Sequence, residues 1–330
     1  MTKKHEKNTK YTTILNFPLV NAIFQSNKSE LIENKLNNTG EIEKNKVTLR
    51  LENYIESTYN LQTVKILILA LEKLAEKMPC KASLETIEKN RIVEITLDEY
   101  MERCNITSRN QARNQLNKTI RILTNDLKLS WTDSKHNIIY KDCRIFKEIL
   151  EYGKNSVQYN RATIQFDFDF AKGLSYGYIM PLDRRILLID IRKFPTAIPM
   201  ALKMTVHKNM NVGKTNEDII SVKTLLNALA DLPRYENLKI KTGISRKIIK
   251  PFINSLEQLV NVGIIDEFTF FEPKGKEINI KVLERMRYED FKNWNVHFKI
   301  NDFPRILKRR PRGKKEQNKK AAEGEKKENL

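Results

Sequence analysis

Two sets of side chains in this sequence have types and spacings that could do chemistry. The first is Phe166-Asp-Phe-Asp-Phe170. On a strand, Asp167 and Asp169 would project from one face, as two-metal nucleotidyl transfer requires. Thr205-Val-His207 and Ile265-Asp266 could supply the rest of such a primase-like set. The plainer account is an amphipathic strand, with Gln165, Asp167 and Asp169 wet and Ile164, Phe166, Phe168 and Phe170 buried.

The second set is basic. In GISRKIIKPFINSLEQL, residues 243 to 259, helical spacing puts Arg246, Lys247, Lys250 and Asn254 on one side and Ile248, Ile249, Phe252, Ile253, Leu256 and Leu259 on the other. Lys274 and Lys276 follow in a turn. Earlier in the chain, Arg109, Asn110, Arg113, Asn114 and Asn117 occupy a comparable helix face. Arg and Asn carry the fork geometry that reads guanine and adenine edges, while lysines meet phosphates. The plainer account of either face is a solvated helix surface.

Other chemistries are excluded by what is missing. Gly213-Lys-Thr215 lacks the earlier glycine of a phosphate-binding loop, since that position is Lys208. His5, His136, His207 and His297 are isolated, so no His-x-His metal pair exists. Cys80, Cys104 and Cys143 have no ligand spacing, which argues against a zinc knuckle or disulfide framework and for a reducing cytoplasm. No cofactor or metal is expected.

Among the 330 residues, 60 Lys and Arg face 41 Asp and Glu, a formal charge of +19 with a pI near 9.6. Such a balance points to a polyanionic partner. The most apolar run, Lys65 to Leu71, is far below the roughly 18 to 20 residues that cross a bilayer, so no membrane partner is expected. Asn16, Pro18 and Asn21 interrupt the apolar stretch near the N-terminus, and we read no signal peptide there.

The elements that must position these residues repeat an order. Residues 1–48 read as a flexible, basic arm and a polar loop. LQTVKILILALEKLAEKM, residues 61 to 78, is a buried core helix; Thr96 caps a short helix with Glu99 in a capping box; Thr107 or Ser108 caps a longer one. LKLSWTD and NIIYKDCRIFKEILEY then read as two strands around a polar turn, and ATIQFDFDF alternates with period two.

In the second half, Thr196 opens a helix and Ser221 caps another before Pro233; a third either starts at Ser245 and bends at Pro251, or starts only near Lys250 with Arg246 and Lys247 in the preceding turn. GIIDEFTFF and EINIKV follow as a hairpin around EPKGKE. Adding 137 to the earlier numbers superposes Ser108 on Ser245, Arg109 on Arg246, Leu116 on Ile253 and Trp131 on Phe268. The expectation is an α+β chain of two tandem winged-helix domains, 49–172 and 173–300, with a disordered basic tail over 301–330.

This order, with Arg246-Lys-Ile-Ile-Lys-Pro-Phe252 and an upstream Tyr235, resembles the iteron-binding plasmid replication initiators. ITLDEYMERCNI and NQLNKTIRIL resemble the first domain of that family. The gap from Tyr235 to Arg246 is wider than the family pattern. The resemblance implies a non-enzymatic initiator that binds double-stranded repeats at a plasmid or mobile-element origin and helps open the duplex. It further implies a homodimer formed through the first domain, and recruitment of a host initiator and replicative helicase. A winged-helix transcriptional regulator is the alternative of like architecture, and a primase-like nucleotidyltransferase using Asp167 and Asp169 the alternative of another class.

Overall fold

The structure, a computed structural model, describes residues 11–16, 32–34, 39–44, 47–51, 61–79, 82–132, 138–152, 161–175, 178–229, 232–233, 235, 243–279, 282, 286–300 and 303. It is an α+β protein with small antiparallel sheets. Among the described residues, no helix is long and apolar enough to cross a membrane.

Helix α1, Leu61–Lys77, is the spine. Val64 and the run Ile66 to Leu71 are all buried, because their apolar side chains point to every side and other elements pack all round them. Two charged residues of this helix are buried as well, Lys65 and Glu72. Seven residues apart, they lie two turns from each other on one face. Glu72 accepts from Arg103 at 2.7 Å and pairs with Arg184 at 2.9 Å, while Lys65 Nζ donates to the carbonyls of Leu187 and Ile189, both at 2.7 Å. Both charges therefore grip the segment that joins the halves of the chain.

After α1 come α2, Leu84–Asn90, strand β5, Ile92–Thr96, and helix α3, Leu97–Cys104. Thr96 caps α3, its hydroxyl accepting from Glu99 N–H at 3.2 Å, but the Glu99 carboxylate turns to Lys73 instead of closing a reciprocal box. Asn105 ends α3 in the left-handed region, a position asparagine tolerates. Ser108 then caps α4, Arg109–Arg121, by accepting from Gln111 N–H. A π-turn, Ile122–Asp126, closes that helix.

Four strands follow: β6, Leu127–Thr132; β7, Ile138–Arg144; β8, Phe146–Tyr152; and β9, Arg161–Phe166. The expected pair of strands forms, β6 antiparallel to β7 with Leu129 opposite Cys143, but its second strand is shorter than the sequence suggested. NIIYKDCRIFKEILEY is broken at buried Ile145, whose carbonyl accepts from Asp167 N–H at 3.0 Å, and its two halves enter different sheets. β8 and β9 join β5 in the order β5-β9-β8, while β6 and β7 extend a sheet whose other strands are β2, Ile32–Asn34, β3, Thr39–Lys44, and β4, Val47–Leu51, in the order β2-β3-β4-β6-β7.

The strands β2 and β3 lie where a polar loop was expected, and β4 begins at the last two positions of that loop. β3 and β4 pair antiparallel, Ile42 opposite Leu49 and Lys44 opposite Val47. β4 is then completed by a partner remote in sequence, Leu49 lying opposite Leu129. The basic arm is likewise corrected in part. Its β1, Tyr11–Asn16, pairs with β10, Tyr178–Asp183, Ile14 opposite Met180. Residues 1–10 and, apart from Phe303, the basic tail lie outside the described residues.

The chain then runs through helix α5, Phe168–Ser175, β10 and a 3-10 turn, Arg184–Leu188, into α6, Ala197–Asn211. β11, Ile219–Ser221, and α7, Val222–Leu226, follow, with Ser221 capping α7 through Thr224 N–H as expected. A π-turn, Ser245–Ile249, leads into α8, Lys250–Asn261. β12, Glu267–Phe271, β13, Glu277–Ile278, α9, Tyr288–Lys292, and β14, Asn295–Lys299, complete the order. The last sheet runs β11-β14-β12-β13, so β14, which no sequence expectation named, lies between β11 and the hairpin. Its signal was present, because Val296 and Phe298 are buried while His297 between them is exposed.

Buried apolar side chains from Val64 to Ile300 form one contiguous cluster. Where α8 ends, Gly263 takes φ +73°, its N–H bonding to Val260 O and Ile264 N–H to Leu259 O, the two bonds of a Schellman cap. Arg185 leans over this glycine, and a Cβ there would stand 2.3 Å from its guanidinium. Gly263→Ala should cost about 1–2 kcal/mol from the left-handed backbone alone, and more if Arg185 is displaced from Asp183. Urea unfolding of the variant checks this; a change within a few tenths of a kcal/mol would show that the cap does not constrain the fold.

Candidate nucleic-acid interface

The basic stretch around Pro251 depends on how the chain starts that helix. Gly243, at φ +86°, turns the backbone into it, and Lys247 N–H bonds to Gly243 O at 2.9 Å. Ser245 is not the cap that its residue type suggests, because it sits inside the helical run with Ile244 before it and makes no capping bond. From Ser245 to Ile249 the turn is widened, with Lys250 N–H reaching back five residues to Ser245 O. Such π-bulges relax a helix where a backbone donor is missing. Pro251 consequently falls in the first turn of the regular helix α8, where its absent N–H costs nothing.

The faces separate as the spacing requires. Ile248, Ile249, Phe252, Ile253, Leu256 and Leu259 are buried, and Phe252 meets Phe291 edge-on at 5.3 Å between centroids. Arg246, Lys247, Lys250 and Asn254 are exposed, and Glu257 and Asn261 continue the stripe. The cations thus crowd the N-terminal turns, where the helix dipole is also positive, and the charge changes sign two turns on. An anion would be drawn to the start of this helix and repelled from its middle.

The hairpin after α8 adds cations at its tip. Glu272 N–H bonds to Lys276 O at 2.9 Å and Gly275 N–H to Glu272 O at 2.8 Å, with Gly275 at φ +86° closing the turn. Lys274 and Lys276 are exposed.

In the first half, Arg109, Asn110 and Asn114 are exposed, whereas Arg113 and Asn117 are half-buried. Arg109 is engaged by Asp98 at 2.7 Å, and the Arg113 Nε is buried without a hydrogen-bond partner. The face is therefore less cationic at its surface than its sequence suggests. Lys118, exposed one turn beyond Asn114, belongs to it and was missed, although the four-residue step was there to be read. The superposition by 137 residues also loses part of its force. Ser108 caps its helix and Ser245 does not, and β6 enters a different sheet from the one that follows β5.

Asp167 and Asp169 do not share a strand face. β9 ends at Phe166, and Asp167 caps α5, its Oδ1 accepting from Asp169 N–H at 3.0 Å and Phe170 N–H at 3.3 Å. Phe170, packed against Phe166 at 6.1 Å in parallel, sets this turn, so the alternation FDFDF is the end of a strand and the start of a helix. Burial pushes the Asp167 carboxyl above the usual carboxylate range, against the pull of those two N–H groups. His207 is separately committed, Nε2 donating to Asn216 O at 2.9 Å. Among the described residues, no group of three or more His, Cys, Asp or Glu is arranged to hold a metal ion.

Gly213-Lys-Thr215 is a turn whose Gly213 N–H is already taken by the Glu217 carboxylate at 2.6 Å. No protein-family model matches this chain, and no curated protein matches it.

The capping role of Asp167 makes a test. Asp167→Ala should cost about 1 kcal/mol, while Asp167→Asn keeps the cap. A carboxyl raised on folding contributes stability below its unfolded pKa that is lost as pH rises through the folded one. Asp167→Asn should therefore match or exceed the wild type in thermal stability at neutral pH, with the difference vanishing in acid. A loss as large as that of alanine at pH 7 would show that the charge itself is needed.

Proposed function

We propose that this protein is a sequence-specific double-stranded DNA-binding replication initiator, acting on repeats at the origin of a plasmid or related mobile element. The observation that carries the reading is the exposed stripe Arg246, Lys247, Lys250 and Asn254 at the positive end of a helix that runs into a hairpin tipped by Lys274 and Lys276. A helix with donors on its outer turns and a cationic hairpin beside it is what a winged helix offers to the major groove and the backbone.

Further support comes from the first half, where helix α1, strand β5, helices α3 and α4, and the pair β8 and β9 follow in the order of such a module. In this reading α8 reads bases, its hairpin and the exposed residues of α4 meet phosphates, and the first half carries a homodimer contact. Recruitment of a host initiator and helicase completes the proposed action. The capping bonds of Asp167 favour this binding role over metal-dependent nucleotidyl transfer.

Footprinting on DNA flanking the protein's own gene tests the proposal. Regularly spaced protected direct repeats are expected; one inverted repeat would mark a transcriptional regulator, and no protection would remove the reading. On the repeat, Arg246→Ala should cost about 1–3 kcal/mol and relax specificity, whereas Lys276→Ala should weaken all DNA alike and lower the salt slope by about one. Equal losses on cognate and random DNA for Arg246→Ala would take it off the base-reading face.

A further inference from the structure

A cavity of about 430 Å³ opens between α4 and the segment after the 3-10 turn, away from α8 and its hairpin. Its wall includes Lys65, Gln111, Gln115, Lys118, Asp190 and Arg192. The charges do not balance. Lys65, only 4% exposed, spends two of its three N–H groups on the carbonyls of Leu187 and Ile189 and forms no ion pair among the described residues. The other buried charges are answered: Glu72 by two arginines, Arg91 by Glu88, Asp183 by Arg185 and Lys208 by Asp218.

Asp190 lies in the same wall, but its carboxylate is turned to Arg192, accepting from that residue's N–H at 3.0 Å with Nε at 3.8 Å. Cys104 could answer Lys65 only as a thiolate, and burial pushes its thiol up to about 11. Asp190 acts on Lys65 through space without touching it, and burial still lowers the pKa of the lysine, so an anion entering the cavity would bring the contact charge that the surrounding carbonyls do not.

The amides give the cavity a second property. Gln115 Oε1 accepts from the buried Tyr100 hydroxyl at 3.0 Å, which fixes its orientation and leaves its amide N–H groups as donors. Gln111 stands one turn earlier on the same helix face, and Lys118 one turn later.

We infer that this cavity binds a small anionic molecule, whose phosphate or carboxylate head meets Lys65 and Lys118 while Gln111 and Gln115 hold its polar body. The site is of metabolite size, built from one half of the chain and the connecting segment, and does not depend on the DNA reading above.

The test is calorimetric titration of the full chain with inorganic phosphate, adenosine monophosphate and citrate, with uncharged adenosine as control, at roughly 0.15 M salt so that diffuse surface attraction is screened. One-to-one binding of at least one anion is expected, with adenosine silent. Phosphate and the nucleotide binding without citrate would assign a phosphate head, and citrate alone a carboxylate head.

Gln111→Ala combined with Lys118→Gln changes two exposed positions of α4 and leaves the core intact. That variant should bind about tenfold or more weakly, the loss of a hydrogen bond and a charge at the head. Lys65→Met should abolish binding, but it also strips two carbonyls of their donor, so the exposed pair carries the test. No binding by any anion, or binding undiminished in the double variant, would overturn the inference.

Discussion

The structure depends on one arrangement: a nearly submerged helix that carries two charges on the same face. Lys65 and Glu72 stand two turns apart on α1 and both reach the chain between residues 184 and 189. Placing charges in a core is costly, and the two are treated differently: the glutamate is paired with guanidinium groups, whereas the lysine donates to carbonyl oxygens. The pattern of partners fixes how the connecting segment lies along α1. That segment in turn sends Arg185 over Gly263 at the end of α8 and leads to Thr196, whose hydroxyl meets Ser255 within α8. The polar anchors of the first half therefore set where the basic helix of the second half sits.

That helix resolves a local conflict in a way its composition could not disclose. A serine followed three residues later by apolar side chains reads as a cap, and a proline two turns in reads as a fault. The backbone removes both by starting one residue earlier, after Gly243, and by widening the turn before Pro251. The side-chain pattern survives, because the buried set remains Ile248, Ile249, Phe252, Ile253, Leu256 and Leu259. The widened turn leaves both Arg246 and Lys247 on the outside, ahead of Lys250.

What could be read in the sequence follows from whether its cause was local. The caps at Thr96, Ser108 and Ser221, the inward faces of α1, α4 and α8, and the hairpin around Gly275 were legible, since each is set by residues within a few positions. Strand partners were not. β1 with β10 and β4 with β6 pair across more than 70 residues, and polar strands such as β3 look like loop until a partner is present. Asp167 shows the same limit at the candidate site. The alternation FDFDF was real, but whether it continues as strand or turns into helix was decided by the bond from Asp167 N–H to the distant carbonyl of Ile145.

The net charge of +19 gains meaning only when the cations are sorted by what they touch. Arg91, Arg103, Arg184, Arg185 and Lys208 each answer a carboxylate within the fold and offer little to an outside partner. Arg109, though at the surface, is engaged by Asp98. Exposed basic groups include Arg246 and Lys247 ahead of α8, Lys274 and Lys276 at the hairpin tip, and Lys118 beside the cavity. Because Glu257 reverses the sign midway along α8, attraction is confined to the end where the helix dipole adds to it. A duplex drawn to that end would be met by the start of the helix rather than by its length, and the hairpin cations would meet the neighbouring backbone. Charge, backbone dipole and the widened turn thus converge on the same few residues, although each arises from a separate feature of the sequence.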